Sequence, residues 1–179
     1  MRSVKLKDKE FELFISEQQM QNEISRVAAE INRDFQGKEP LFLAVLNGSF
    51  MFASDLMKEV SIPSTISFVK MSSYVGTEST STMKHLIGLN EDIAGRDVIV
   101  IEDIVDTGYT MKNLLEILNF KGPASVSVCS MLYKPNKLEV ELDVRYVAMS
   151  IPDDFIVGYG LDYDGYGRNL RDIYKIINR

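Results

Sequence analysis

Cysteine and histidine each occur once in these 179 residues. A single thiol excludes a disulfide framework within the chain, and the place of Cys129 in the apolar run Ser125 to Leu132 marks it as a buried strand residue rather than a nucleophile. A lone histidine is a candidate acid or base, yet the place of His85 at the exit of a loop favours a structural role. No apolar run approaches membrane-spanning length, and Met1 to Lys7 lacks the apolar stretch of a signal peptide, so a cytoplasmic protein without a membrane partner is expected. Basic excess is missing as well. The formal net charge of -6 argues against a general nucleic-acid surface, so an anionic ligand must be received locally, by backbone N–H groups, Mg²⁺ or a few placed cations.

What is present is core. With 45% hydrophobic residues, the chain is long enough to bury one core without disulfides or structural metals, and no linker divides it, so residues 1–179 read as a single domain. Ser16 and Gln19 form a capping-box start, and Ile24, Val27, Ala28, Ile31 and Phe35 keep helical spacing until Gly37 and Pro40. Leu41 to Leu46 reads as a strand, Phe50 to Val60 as a helix and Thr65 to Lys70 as a further strand. Met71 to Met83 is crowded with Ser, Thr and Gly, which predicts a mobile loop suited to a lid, and Lys84 to Leu89 returns as a strand. Tyr109 to Phe120 is predicted helical, Ser125 to Leu132 and Val144 to Ile151 are predicted strands, and Phe155 to Leu161 is predicted extended. Alternating β and α elements indicate an α/β fold with a mainly parallel central sheet flanked by helices. The segments outside that alternation, about 1–15 and 135–179, are expected to form a small cap over the strand ends.

The most informative stretch runs from Val98 to Thr110. Val98 to Ile101 is a β-branched run of the kind buried on both faces of a parallel sheet, and ligands bind beyond the carboxyl ends of such strands. Thr107 and Thr110 supply hydroxyls, and Gly108 lets the backbone wrap closely around phosphate oxygens. Glu102 and Asp103 are acceptors only, which suits a pair of ribose hydroxyls or Mg²⁺ held with its waters and substrate oxygens. Asp106 has another task, because a carboxylate beside a phosphate is repelled unless neighbours or a metal offset its charge. Capping the helix and handling a proton are the two candidates.

This segment resembles the signature of type I phosphoribosyltransferases: a hydrophobic strand, two acidic residues, two apolar residues, then Asp-Thr-Gly and a nearby Thr. The resemblance implies the fold of that family, with a cap or hood, and phosphoribosyl pyrophosphate (PRPP) as donor. Asp106, Thr107, Gly108, Tyr109 and Thr110 are then expected to hold the 5'-phosphate, with Glu102 and Asp103 facing the ribose. Pro152 to Asp164 resembles the acceptor-base segment of hypoxanthine and hypoxanthine-guanine phosphoribosyltransferases, including the Asp162-Tyr163 pair. It implies that Phe155 stacks on a purine, that Ile156 offers backbone hydrogen bonds to its edge and that Lys134 contacts the 6-oxo group. Asp162 is expected at a magnesium ion together with Glu102 and Asp103, and Arg168 at the pyrophosphate, where a fixed fork of donors suits it. Ser73 and Tyr74 match the family's lid. Leu46 to Ser49 matches its pyrophosphate loop, preceded in relatives by a non-proline cis peptide; this chain carries Asn47 where many members have lysine, and the N–H groups of Gly48 and Ser49 are the donors that remain. His85 matches no catalytic position of the family.

The implied reaction is Mg²⁺-dependent purine salvage by a homo-oligomer, a dimer or tetramer, with Asp106 exchanging a proton with the purine. A second reading is a PRPP-fold regulator that binds RNA in response to pyrimidine nucleotides, with uracil phosphoribosyltransferase activity; the acidic balance, Lys134 and the segment from Phe155 to Asp162 oppose it. A third is a non-catalytic nucleotide-binding α/β module.

Overall fold

The computed structural model describes residues 3–74 and 83–177 of the chain. Two short strands, β1 (Ser3–Leu6) and β2 (Lys9–Ile15), lead into helix α1 (Glu17–Asp34). The expected capping box is formed: Ser16 Oγ accepts the Gln19 N–H at 3.3 Å, and Gln19 Oε1 accepts the Ser16 N–H at 3.0 Å. Ile24, Val27, Ala28, Ile31 and Phe35 are all buried, as their spacing requires.

The chain then alternates through β3 (Leu41–Val45), α2 (Phe50–Glu59), β4 (Thr65–Tyr74), β5 (Met83–Ile87), β6 (Asp97–Val105), α3 (Tyr109–Asn119), β7 (Ser125–Tyr133) and β8 (Tyr146–Ser150). These strands make one sheet in the order β5-β4-β3-β6-β7-β8, parallel throughout except for β5, which runs antiparallel to β4. Side chains alternate between two cores. Phe42, Ala44, Ile99 and Ile101 pack with α1 and α2 on one face, while Leu41, Leu43, Val98 and Val100 pack with Met111, Leu114 and Leu118 of α3 on the other. Burial on both faces is why the central strands read as unbroken apolar runs.

Four strands form a second, antiparallel sheet of order β1-β2-β10-β9, with β9 at Ile156–Val157 and β10 at Ile173–Ile176. Its own small core is Phe11, Val157 and Tyr174. The cap is therefore built from both ends of the chain, but its expected boundary is too generous. The strand Tyr146–Ser150 lies at the edge of the main sheet, because β7 is long enough to carry it in parallel register from Cys129 to Tyr133.

Among the elements that depart from their sequence-based bounds, three bear on the site. β4 continues past Lys70 to Tyr74, so Met71 to Tyr74 is strand, paired with β5 from Ser72↔His85 to Tyr74↔Met83. Of the expected lid, residues 75–82 lie outside the described residues. β6 runs on through Glu102 and Asp103, since Glu102, Ile104 and Val105 keep partners in β7. Between Phe155 and Leu161 only Ile156–Val157 is strand; glycines 158 and 160 adopt positive φ and turn the chain away. Among the described residues, no helix is long and apolar enough to cross a membrane.

Candidate active site

The carboxyl ends of β3 and β6 meet in a cleft of about 330 Å³ lined by Asn47, Gly48, Glu102, Asp103, Asp162 and Arg168. The peptide between Leu46 and Asn47 is cis. Gly48 is packed against the Asp103 carboxylate so closely that any Cβ would overlap it. Ser49 is not available as a donor: it is fully buried, and both its hydroxyl (2.6 Å) and its N–H (3.4 Å) are directed to the Val45 carbonyl at the start of α2. Of the expected pyrophosphate loop, Asn47 and Gly48 line the cleft, whereas Ser49 is turned into the protein.

Glu102 is only 7% exposed. Burial, and then the neighbouring Asp103 charge, push its carboxyl well above the usual range, and burial likewise raises Asp103. Two adjacent carboxylates that are costly to ionise side by side are relieved by a cation or by hydroxyl donors. Arg168 opposes the rise at Asp103.

Beyond β6 the chain forms a second hollow of about 80 Å³ lined by Glu102, Asp106, Thr107, Gly108 and Thr110. Gly108 has φ +90°, a conformation that strains any other residue, and a Cβ there would press on Leu138 Cδ1 at 2.7 Å and Val140 Cγ2 at 2.8 Å. α3 starts at Tyr109 without a side-chain cap, which leaves the N–H groups of its first turn as donors for an anion. Asp106 is therefore no helix cap. That removes one of its two candidate tasks.

Asp106 sits in a group of four charges. Lys134, 5% exposed at the end of β7, donates to Asp153 Oδ1 and to the Asp154 carbonyl, each at 2.9 Å, and stands 3.5 Å from Asp106 Oδ2. Lys137 lies 3.1 Å from Asp106 Oδ1, 3.2 Å from its Oδ2 and 3.0 Å from Asp153 Oδ1. Asp153, then Asp106, hold the Lys137 ammonium above its ordinary range, and Lys134, then Lys137, hold Asp153 below its own. Neither Lys137 nor Asp153 stands out in the sequence. The available signal was Lys-Pro-Asn-Lys, in which Pro135 opens a single 3-10 turn (Pro135–Lys137) that brings the second lysine back beside the first.

The cap supplies the remaining residues. Phe155 is 46% exposed, with its ring 6.2 Å from Phe11 and edge-on to Tyr163 at 5.9 Å. It directly follows the Asp153-Asp154 turn tied to Lys134, but it does not line either cavity. Ile156 pairs with Lys175 in β9, an edge strand whose outward backbone groups are open to a ligand. Asp162 has both oxygens engaged, Oδ1 by Arg168 and Oδ2 by the Gly165 N–H, each at 2.7 Å, while Arg168 also donates to the Gly160 carbonyl at 2.7 Å. Among the described residues no three His, Cys, Asp or Glu side chains converge as a metal cage. Glu102, Asp103 and Asp162 share the cleft without closing on one point. That arrangement suits Mg²⁺, which keeps several waters and is commonly held by one or two carboxylates plus substrate oxygens. Ser73 and Tyr74 end β4, away from these groups in sequence but on the same sheet.

An open parallel sheet whose strand ends carry an uncapped helix start, an acidic pair and a glycine turn defines an α/β protein built to hold a phosphorylated sugar or nucleotide. The description of a phosphoribosyl transferase domain fits residues 15–164, and the chain belongs to the phosphoribosyltransferase family. It is 39% identical over 169 residues to the hypoxanthine phosphoribosyltransferase of Salmonella typhimurium, covering 93% of this chain and 95% of that one. It is also 39% identical over 160 residues to the hypoxanthine-guanine phosphoribosyltransferase of Staphylococcus aureus, covering 89% of each. Among solved structures, a hypoxanthine-guanine phosphoribosyltransferase from Bacillus anthracis superposes with a TM-score of 0.83 at 38% identity, over 93% of this chain and 97% of that one. A mutant of the Trypanosoma cruzi hypoxanthine phosphoribosyltransferase, in a ternary complex with substrates, gives 0.85 at 32% identity over 92% and 94%.

Proposed function

We propose that this enzyme transfers 5-phosphoribose from PRPP to hypoxanthine, and to guanine as a second acceptor, giving the nucleoside monophosphate and pyrophosphate. The observation that carries this reading is the meeting of Asp106, from the phosphate loop, with Lys134 and the Asp153-Asp154 turn, from the segment that resembles an acceptor-base site. The bond from the sugar C1 to pyrophosphate breaks with its electron pair leaving on pyrophosphate, and a bond from C1 to a purine nitrogen forms. The proton displaced from the purine ring passes to Asp106 and on to solvent.

The named side chains divide this work. Thr107, Gly108, Tyr109 and Thr110 receive the 5'-phosphate, and Glu102 and Asp103 face the ribose hydroxyls. Asn47, Gly48 and Arg168 meet the pyrophosphate, with Arg168 turning from Asp162 toward the charge that grows there. Bound with the donor by Glu102, Asp103 and Asp162, Mg²⁺ supplies charge neutralisation of the leaving group. Lys134 donates to the 6-oxo group, Phe155 covers the base face and β9 near Ile156 reads its edge. Ser73 and Tyr74 belong to a lid that excludes water from the sugar cation.

Self-association is proposed as well. A groove of about 410 Å³ beside α2 and β4 exposes Phe50, Ile66 and Phe68 together, an apolar surface that a second copy would cover in a dimer or tetramer. A cytoplasmic setting accords with one buried, unpaired thiol.

The test is direct. Purified protein is offered PRPP, Mg²⁺ and each of hypoxanthine, guanine, xanthine and uracil separately, with nucleotide and pyrophosphate release followed. Fast turnover of hypoxanthine is expected; turnover of uracil alone, or of no base, would refute the assignment.

A further inference from the structure

Asp106 poses an electrostatic problem that the proposed function does not solve. Its carboxylate lines the same hollow as Thr107, Gly108 and Thr110, where an incoming phosphate would meet it as a like charge. Lys134 is not free to offset that charge. Its ammonium is committed at 2.9 Å to both Asp153 and the Asp154 carbonyl, reaches Asp106 only at 3.5 Å, and is the group expected to turn to the base.

Lys137 is placed differently. Its ammonium lies 3.1 and 3.2 Å from the two oxygens of Asp106, and among the described residues it has only one further partner, Asp153 Oδ1 at 3.0 Å. The segment that carries it is bolted to the phosphate loop on either side of Asp106: the Lys134 N–H donates to the Val105 carbonyl and the Glu139 N–H to the Thr107 carbonyl, both at 3.0 Å. Between those two bonds, Pro135–Lys137 forms the 3-10 turn that returns the ammonium over the carboxylate, with the Lys137 N–H closing it on the Lys134 carbonyl at 3.1 Å. Leu138 and Val140 then pack where a Gly108 side chain would be, so arch and loop form one unit. An ordinary surface ion pair joins two flexible side chains and contributes little. Here both partners stand on backbone that is fixed mutually.

We propose that Lys137 is a positioning residue that compensates the charge of Asp106, so that a carboxylate can stand at the lip of the phosphate hollow and still admit an anionic donor. The proposal rests on PRPP being the donor, and its test uses binding rather than turnover to keep the two readings apart. Equilibrium binding of PRPP with Mg²⁺ is measured by calorimetry on the full-length protein, Lys137→Met, Lys137→Arg, Asp106→Asn and the double variant Asp106→Asn/Lys137→Met, with a melting curve for each. Lys137→Met is expected to weaken PRPP binding about tenfold or more with its melting temperature little changed, and Lys137→Arg to bind within about threefold of the parent. In the Asp106→Asn background, where no carboxylate needs compensation, adding Lys137→Met is expected to change affinity by less than about twofold.

Equal PRPP affinity in Lys137→Met and the parent overturns the proposal. So does an equal loss in both backgrounds, which would mean that Lys137 touches the donor itself, and so does failure of Lys137→Arg to restore binding. Absence of PRPP binding by the parent protein would instead refute the proposed function.

Discussion

Gly160, in the cap, lies against the carbonyl oxygen of Gly48, in the turn after β3, so closely that no side chain fits between them. This contact joins the two halves of the cleft, because Arg168 also donates to the Gly160 carbonyl and Gly48 itself is packed on Asp103. Gly160 has φ +98°, which adds backbone strain to the clash for any replacement.

Gly160→Ala is accordingly expected to lose about 2–3 kcal/mol of stability in urea denaturation and to reduce IMP formation at least tenfold. Gly37→Ala is the control. Gly37 also has positive φ, at +77°, but open space around it and no place near the cleft. It should show only the strain of a left-handed residue, about 1–2 kcal/mol, with unchanged kinetics. Equal kinetic effects at the two positions would show that the Gly160–Gly48 contact does not shape the cleft.

Glu102 makes a pH prediction whose sign follows from its burial. Its carboxyl is raised in the folded protein, so the folded state holds its proton to higher pH than the unfolded chain. Stability from this group is complete below the ordinary value of 4.5 and is lost as pH climbs above it toward the raised folded value. Glu102→Gln removes that loss. The ligand-free variant should match the parent near pH 4 and exceed it by on the order of 1 kcal/mol near pH 7, measured by denaturant titration at both pH values. A stability difference independent of pH would contradict the raised carboxyl.

Asp106→Asn separates binding from chemistry. The amide keeps the shape and loses the proton acceptor, so turnover of hypoxanthine should fall about a hundredfold or more while PRPP affinity is retained or improved. Unchanged turnover under saturating substrates would remove Asp106 from proton transfer.

Much of this architecture is written locally in the chain. The capping box at Ser16 and Gln19 depends on residues three apart, and the apolar runs of β3 and β6 declare burial on both faces without reference to any neighbour. The acidic pair and the Asp106 to Thr110 turn were legible for the same reason: strand, carboxylates and loop are contiguous. What escaped depends on distant partners. Tyr146–Ser150 joins the main sheet rather than the cap because β7, from a distant part of the chain, provides an edge for it. Lys137 and Asp153 are ordinary surface residues by composition. They gain meaning only where the 3-10 turn and the Asp153-Asp154 turn converge on Asp106.

Lys134 is the sharpest test of the acceptor site, because its burial and its role pull on the same bonds. Removal of the ammonium leaves Asp153 with Lys137 alone and frees the Asp154 carbonyl, so the turn before Phe155 loses its anchor as well as the proposed 6-oxo donor. Lys134→Ala should therefore raise KM for hypoxanthine at least tenfold and lower kcat, with PRPP binding affected less, because the phosphate hollow keeps its own donors. Lys134→Arg should not rescue it: a planar guanidinium does not fit a 5%-exposed position that holds a compact ammonium between a carboxylate and a carbonyl. Normal hypoxanthine kinetics in Lys134→Ala would remove Lys134 from the base site, and rescue by arginine would reduce its role to charge alone.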